Sequence, residues 1–340
     1  MWVFEALDEA ASRHGASRQT ALESGRLGAV LLECRPMPKL TSNGLQLEVE
    51  TLGDPAHPAM LLVMGLGMQL LAWPDEFCRR LVDAGYRVVR FDNRDIGLSS
   101  KLDSAPRVSV PLAAMRYFLR LPVDAPYRIQ DMASDALGVL DALDIARAHV
   151  VGASMGGMIA QNLAATHPER CLSLTSIMSS SGDRRLPQAS LKVTRLLLGR
   201  PPRGAALQRQ VDHYVRLFET LSGPGFPYPP GVLRERMMRS LSRSYYPAGT
   251  LRQLLAVVAS GDRSEVLRRI QVPTLVLHGD ADPLLPLAHG RDCARKIPGA
   301  RFEVVPGLGH DLPPGVLARL AEILVAHARS SETERTGHAG

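Results

Sequence analysis

From residue 45 onward, apolar and polar positions along the chain fall into two recurring patterns. Residues 45–50, Leu-Gln-Leu-Glu-Val-Glu, alternate one by one, the period of a strand with one wet face. After a turn at Gly53-Asp54-Pro55, residues 59–64 are apolar without interruption, as in a strand buried on both faces. A helix opened by proline is predicted over 74–84, then a strand over 86–91. Apolar residues at helical spacing, with acids near the start, predict a helix over 129–143. A strand over 149–152, a helix over 158–165 and a strand over 171–178 follow. The alternation stops at Ser179-Ser180-Ser181-Gly182. Residues 183–265 read as helices over 191–198, 205–221, 231–242 and 251–260, with the Gly- and Pro-rich stretch 223–230 as a stiff link. The rhythm then resumes with a strand over 274–278, a helix over 286–296, a strand over 301–305 and a helix over 316–329.

Strands alternating with helices imply an α/β fold with a mostly parallel, doubly wound sheet and right-handed crossovers. The helical stretch, about 183–265, is expected to be a lid inserted between two strands of one domain spanning 37–330. Residues 1–36 show no strand–helix rhythm and end at Arg35-Pro36-Met37-Pro38; they are expected to be an extension, with Met37 an alternative start of translation. The polar residues 331–340 are expected to be a frayed tail.

The chain is organised around His149-Val150-Val151-Gly152-Ala153-Ser154-Met155-Gly156-Gly157. Here a β-branched run meets a serine flanked by glycines two before and two after, and a helix follows. A serine at the tip of so sharp a turn takes a strained backbone, and its flanking positions must be small. The turn lifts the hydroxyl off the sheet edge and aims the N–H groups of the following helix at the same spot. A short G-x-S-x-G pattern arises by chance in many chains; the strand before it and the helix after it are the context the chemistry demands.

Composition narrows the class. A hydrophobic share of 45% and a charged share of 22% over 340 residues are those of a soluble globular protein with a full core. Cys34, Cys78, Cys171 and Cys293 are scattered, with no C-x-x-C pair or neighbouring histidine cluster, which excludes a recognisable zinc or redox motif. The N-terminus, with Glu5, Asp8 and Glu9, is not a secretory signal, and no apolar run reaches the ~20 residues needed to span a bilayer. A cytoplasmic enzyme is the expectation. The net charge of +6 is concentrated between Gly182 and Glu265, where fourteen basic and six acidic residues leave +8. These charges are spaced through apolar residues with few aromatics between them. A solvated face is expected there, with attraction of anionic substrates or contact with a membrane surface as lesser alternatives, and no nucleic-acid partner.

A serine hydroxyl needs a base within hydrogen-bond reach, itself oriented by a third group. In sheets of this design the acid and then the histidine follow the serine along the chain. Two loops qualify, both directly after predicted strands: His278-Gly279-Asp280-Ala281-Asp282-Pro283 and Gly307-Leu308-Gly309-His310-Asp311. His310, on a glycine-rich loop after the last strand, is the expected base, and Asp282 the acid that orients it. Asp280 is expected to accept backbone N–H bonds within its turn, and His278 to pack at the strand end. Two oxyanion donors are also needed. The N–H of Met155, next to the serine, supplies one; Leu66, in Gly65-Leu66-Gly67-Met68 after the 59–64 strand, supplies the other. Gln69 and Trp73 on the same loop are candidate substrate contacts, although Trp73, before Pro74, fits core packing equally. The charged Asp92–Gly97 stretch reads as a structural turn with Arg94 paired to a neighbouring aspartate. Met64, Met68, Met155 and Met158 suggest a methionine-lined pocket or ordinary core.

At these residues the chain resembles the α/β-hydrolase fold from about Thr41 to about Ala326. Within it, Val63-Met64-Gly65-Leu66-Gly67-Met68, Trp73-Pro74, the Asp92–Gly97 stretch and Gly152-Ala153-Ser154-Met155-Gly156-Gly157 resemble the aclacinomycin methylesterase-like esterases and lipases. Most members of the superfamily carry a histidine before the oxyanion-loop glycine; this chain has Met64, as that subgroup tends to. The resemblance implies a Ser154–His310–Asp282 triad with Leu66 and Met155 as the oxyanion hole. It also implies no cofactor, no metal, and a small-molecule ester substrate with an apolar portion. Perhydrolases (cofactor-free haloperoxidases) and carbon–carbon bond hydrolases keep the same triad and stand as alternatives. So does a binding protein that has lost catalysis. An aspartate nucleophile, as in epoxide hydrolases and dehalogenases of this fold, is excluded by Ser154.

Overall fold

A computed structural model describes residues 39–337 apart from Arg107 and residues 200–204. The expected N-terminal extension and Cys34 lie outside the described residues. The first strands, β1 (Leu40–Ser42) and β2 (Leu45–Leu47), form an antiparallel hairpin, and β3 (Val49–Leu52) enters the main sheet. The single strand expected over 45–50 is thus split between two sheets. Then follow β4 (Ala59–Val63), α1 (Asp75–Asp83), β5 (Arg87–Phe91), α2 (Val110–Phe118), α3 (Ile129–Ala142), β6 (Ala148–Ala153), α4 (Met155–Thr166) and β7 (Cys171–Ile177). Five helices interrupt the alternation: α5 (Leu191–Leu198), α6 (Leu207–Leu221), α7 (Val232–Arg243), α8 (Pro247–Ser260) and α9 (Ser264–Arg268). The chain returns to the sheet with β8 (Thr274–Gly279), α10 (Ala288–Lys296), β9 (Arg301–Val305) and α11 (Leu317–Gly337).

The main sheet has the order β3-β5-β4-β6-β7-β8-β9, in which only the β3–β5 pairing is antiparallel. The continuous apolar runs form its middle. Every residue of β4 and of β6 is buried, and the two pair in register from Ala59 with Ala148 to Val63 with Gly152. Side chains of α3 and α4, including Met132, Val139, Ile159 and Leu163, pack with Leu61, Val63, Val89 and Val150 in one core cluster. Each fully buried aliphatic side chain of this kind stabilises the fold by about 1.5–3 kcal/mol.

Charged residues inside the core are paired. Arg90, 2% exposed, donates to Glu50, Asp75 and the carbonyl of Trp73, fastening α1 to the sheet. Arg94 makes a two-pronged pair with Asp135 of α3 at 2.5 and 2.6 Å. The partner expected for Arg94 was a neighbouring aspartate, but Asp92 and Asp95 are otherwise engaged. Asp92 accepts from the N–H groups of Leu70 and Leu98 and from Arg243 of α7, and Asp95 accepts from Tyr127 and from Arg252 of α8. The Asp92–Gly97 turn is structural as expected, but it ties the sheet to the inserted helices.

The C-terminal helix departs from expectation. It runs on to Gly337 instead of fraying after residue 330, because Glu332 bonds the buried His149 ring at 3.0 Å and Ser331 caps back onto the His327 carbonyl. Among the described residues, no helix is long and apolar enough to cross a membrane.

Candidate active site

Ser154 stands between β6 and α4 with φ 56° and ψ −120°, a conformation that costs on the order of 1–3 kcal/mol for a side chain with a Cβ. Its neighbours explain how that cost is met. A Cβ on Gly152 would lie 2.1 Å from the Gly156 carbonyl oxygen, and one on Gly156 would lie 2.0 Å from that of Val63. Glycine at both positions lets the helix start directly over the sheet edge. The Ser154 N–H donates to the Ile177 carbonyl at 2.9 Å, and the Ser179 hydroxyl donates to the Ser154 carbonyl at 2.8 Å. Both bonds fix the turn from β7.

His310 reaches this serine from the loop after β9. Its Nε2 lies 2.9 Å from Ser154 Oγ and its Nδ1 lies 2.7 Å from Asp282 Oδ2. The loop is held at both ends. The Gly307 N–H donates to Asp280 Oδ1 at 2.6 Å, so that aspartate accepts a backbone N–H as expected but from the His310 loop and not within its own turn, and the His310 N–H donates to the Leu221 carbonyl of α6 at 2.8 Å.

Asp282 is 5% exposed. Its Oδ1 accepts the N–H groups of Leu284 and Leu285 at 2.9 and 2.8 Å, leaving Oδ2 to His310 and, at 3.4 Å, to the Nε2 of His278. Burial opposes ionisation of this carboxyl, but the charge of His310 and the bonds from His278 and His310 outweigh it and hold the group well below the usual carboxylate range. His278 packs fully buried at the strand end, with Nε2 donating to the Leu285 carbonyl at 2.7 Å. Ser154, His310 and Asp282 are therefore one hydrogen-bonded chain of groups, drawn from three loops at the carboxyl edge of the sheet. Cysteine offers no rival nucleophile among the described residues: burial pushes the thiols of Cys78, Cys171 and Cys293 up to about 12.

The loop after β4 passes over the serine. A Cβ on Gly65 would meet Ser154 Cβ at 3.1 Å, so the Gly65-Leu66 backbone runs against the nucleophile turn. Three bonds set its path: Asn93 Nδ2 donates to the Met64 carbonyl at 2.9 Å, Met68 N–H to the Gly65 carbonyl at 3.2 Å, and Gly67 N–H to Gln253 Oε1 at 2.9 Å. Gln253 is fully buried on α8 and is itself fixed by the Arg94 carbonyl at 2.8 Å. No feature of the sequence singles it out, since its two partners lie more than 150 residues away along the chain.

Gln69 and Trp73 do not reach the site. Gln69 is 4% exposed; its amide donates to Ser240 and to the Ser244 carbonyl and accepts from Arg243, which spends its polar atoms on α7 and its C-terminal cap. Trp73 is fully buried and stacks on Phe77 at 5.6 Å, as core packing requires. Met68, Leu71, Ala72 and Pro74 of the same stretch face the cavity instead.

That cavity, about 590 Å³, has Ser154 and His310 in its wall. Met64, Leu66 and Met68 line its base, and Leu217, Phe218 and Leu221 of α6, Met237 of α7 and Leu254 of α8 line it from the insertion. Met155 and Met158 belong to the core, so the suggested methionine pocket is divided between the two. His213, Arg236 and Arg239 bring polar groups to the same wall. Asp311, beside His310, accepts from Ser222 at 2.5 Å, and burial pushes its carboxyl up against that bond and the His310 charge.

Comparison with known proteins agrees with this geometry. A family profile for the alpha/beta hydrolase fold matches residues 58–313. The rhodomycin D methylesterase DnrP of Streptomyces peucetius is 32% identical over 317 residues, covering 87% of this chain and 99% of that one. A poly(3-hydroxyalkanoate) depolymerase of Ectopseudomonas oleovorans is 32% identical over 254 residues, 74% of this chain and 78% of that one. Among solved structures, a meta-cleavage product hydrolase from Pseudomonas fluorescens superposes with a TM-score of 0.67 at 17% identity, covering 86% of this chain and 97% of that one, a likeness of fold. With the profile spanning most of the sheet and the methylesterase aligned along nearly its whole length, the chain belongs to the alpha/beta hydrolase fold family.

Proposed function

We propose that this carboxylic ester hydrolase works through an acyl-enzyme on Ser154, with His310 as base and acid, Asp282 as its orienting carboxylate, and the N–H groups of Leu66 and Met155 as the oxyanion hole. The observation that carries the proposal is the continuous relay from Ser154 Oγ through His310 to Asp282, at 2.9 and 2.7 Å, opening on an apolar cavity. As Ser154 Oγ attacks the ester carbonyl, His310 Nε2 takes its proton and Asp282 stabilises the imidazolium that results. The carbonyl oxygen gains the negative charge, and two N–H donors there contribute roughly 3–4 kcal/mol each. The tetrahedral adduct expels the alcohol, which leaves with the proton from His310. Water, deprotonated by the same histidine, then releases the acid and frees Ser154.

The helices between β7 and β8 act as a lid that shapes the acyl pocket. Its apolar lining suits the acid portion of the ester, and the likeness to a methylesterase suggests a small alcohol on the leaving side. A methyl ester of a bulky apolar acid is the substrate class this favours. The test is hydrolysis of methyl and p-nitrophenyl esters of graded acyl size by the full chain and by Ser154→Ala. Turnover that disappears with the serine, and favours bulky acyl groups over acetyl, supports the proposal. Turnover that survives Ser154→Ala rejects it.

A further inference from the structure

Among the described residues, eight of the nine large apolar side chains left exposed fall in two short segments. Leu112, Met115, Phe118, Leu119 and Leu121 lie on α2 and just after it, and Leu191, Leu198 and Leu207 lie on α5 and at the start of α6. Phe118 is 81% and Leu191 84% exposed, values far beyond what scattered surface apolar residues need. On α2 the spacing 112, 115, 119 puts one apolar stripe on the outer face, opposite Ala113, which packs inward with Leu255 of α8.

The two segments share one side of the molecule. Arg184, in the turn that leads toward α5, donates to the Tyr117 carbonyl at 2.9 Å and lies over the Tyr117 ring at 4.2 Å. Leu197 and Leu198 of α5 and Gly199 after it line the cavity directly, and α2 is one layer removed, packing on Leu251 of α8, which lines it. The charge on this side is mostly positive. Arg116, Arg120, Arg184, Arg185, Lys192 and Arg195 stand among the apolar residues, against two acids at the edges of the segments, Asp124, paired with Arg116 at 2.7 Å, and Asp183, paired with Arg185 at 2.7 Å. Arg184, Arg185, Lys192 and Arg195 belong to the basic excess between Gly182 and Glu265, and none of them enters the proposed catalysis.

We infer that α2 and α5 form a monotopic docking face for an anionic lipid bilayer, from which an apolar ester enters the cavity past Leu198. Apolar side chains flanked by Arg and Lys, with no carboxylate between them, match the boundary between acyl chains and anionic headgroups. A protein partner or second copy would leave the net positive charge that remains, on Arg120, Arg184, Lys192 and Arg195, unexplained. Leu198, 56% exposed and in the cavity wall, makes the apolar surface continuous from the outer face to the site.

The test uses the full chain carrying Ser154→Ala, so that lipid turnover cannot interfere. It is sedimented with vesicles of phosphatidylcholine alone or mixed with phosphatidylglycerol. Partitioning onto the anionic vesicles only is expected, falling by about tenfold or more as salt rises from about 0.1 M to about 1 M. Adding Phe118→Glu and Leu119→Glu, or Lys192→Glu and Arg195→Glu, should each reduce partitioning by about tenfold. In the active chain those pairs should leave hydrolysis of a soluble short-chain p-nitrophenyl ester unchanged, which also reports correct folding. Absent or equal binding to both vesicle types overturns the inference without any variant. So does a chain that dimerises in sedimentation velocity and becomes monomeric on Phe118→Glu. Because binding is read without turnover, failure here leaves the ester-hydrolase reading standing, and the reverse holds as well.

Discussion

Replacing Asp282 with asparagine tests its proposed role in orienting His310 against that of the aspartate two residues before it. In the native site Asp282 Oδ1 accepts two backbone N–H groups, at 2.9 and 2.8 Å, while Oδ2 faces His310 Nδ1 and His278 Nε2. An asparagine keeps its oxygen on the two N–H donors, so its amide NH₂ occupies the Oδ2 position. A donor then faces His310 Nδ1, which must become an acceptor, and the ring proton moves to Nε2. Nε2 now donates toward Ser154 Oγ instead of accepting its proton, and the general base is lost with little change of shape. Inverting this tautomer in Ser-His-Asp hydrolases lowers kcat by about 10⁴-fold, equivalent to about 5 kcal/mol of transition-state stabilisation. Asp280→Asn can retain its acceptor bond to Gly307, so kcat should change by less than about threefold, and the melting temperature only slightly. Steady-state hydrolysis of a p-nitrophenyl ester by both variants, with circular dichroism to confirm folding, decides the matter. Near-native kcat in Asp282→Asn with a large loss in Asp280→Asn would refute the assignment and its geometric reasoning.

Three further outcomes follow from the packing. Gly156→Ala drives a Cβ to 2.0 Å from the Val63 carbonyl oxygen, so the nucleophile turn must shift; kcat should fall by at least about 10²-fold, and native kcat in this variant would contradict the close approach. Arg94→Met leaves Asp135 as an unpaired buried carboxylate, which should cost about 3–5 kcal/mol in urea unfolding, whereas Arg80→Met, from an exposed pair with Glu76, should cost less than about 1 kcal/mol. Burial depresses the His327 pKa to about 4, against about 6.5 in an unfolded chain, so between those values the unfolded state binds the extra proton. Stability from this residue is therefore present above about pH 6.5 and lost as pH falls toward 4, by on the order of 3 kcal/mol. His327→Gln should flatten that part of the pH–stability curve, and an unchanged slope would count against the buried neutral ring.

The candidate site residues that the structure brings together share a physical reason for being legible in the sequence. Ser154, Asp282 and His310 each follow a strand, and strand periodicity is a local signal that survives without tertiary context. The glycines at 152 and 156 mark a sterically demanding turn. What the sequence could not show depends on groups brought in from afar. Gln69 and Trp73 sit beside the oxyanion loop in sequence, yet α7 approaches from residues 240–244 to take up the Gln69 amide, and Phe77 covers the indole. Arg94 finds Asp135 forty-one residues on. Gln253, which orients the loop above the serine, is a glutamine in an ordinary helix. The α2 helix gives no amphipathic signal in the sequence because its outer stripe is apolar where a globular surface is polar, the feature that sets it apart in the structure.

The central assignment is that Ser154 carries the acyl group. The most direct measurement is mass spectrometry of the protein after incubation with a fluorophosphonate, with peptide mapping of the adduct. One equivalent of adduct on the peptide containing Ser154, absent in Ser154→Ala and slowed in Asp282→Asn, is the expected result. Stoichiometric adduct on any other residue, or labelling that persists undiminished in Ser154→Ala, would contradict it.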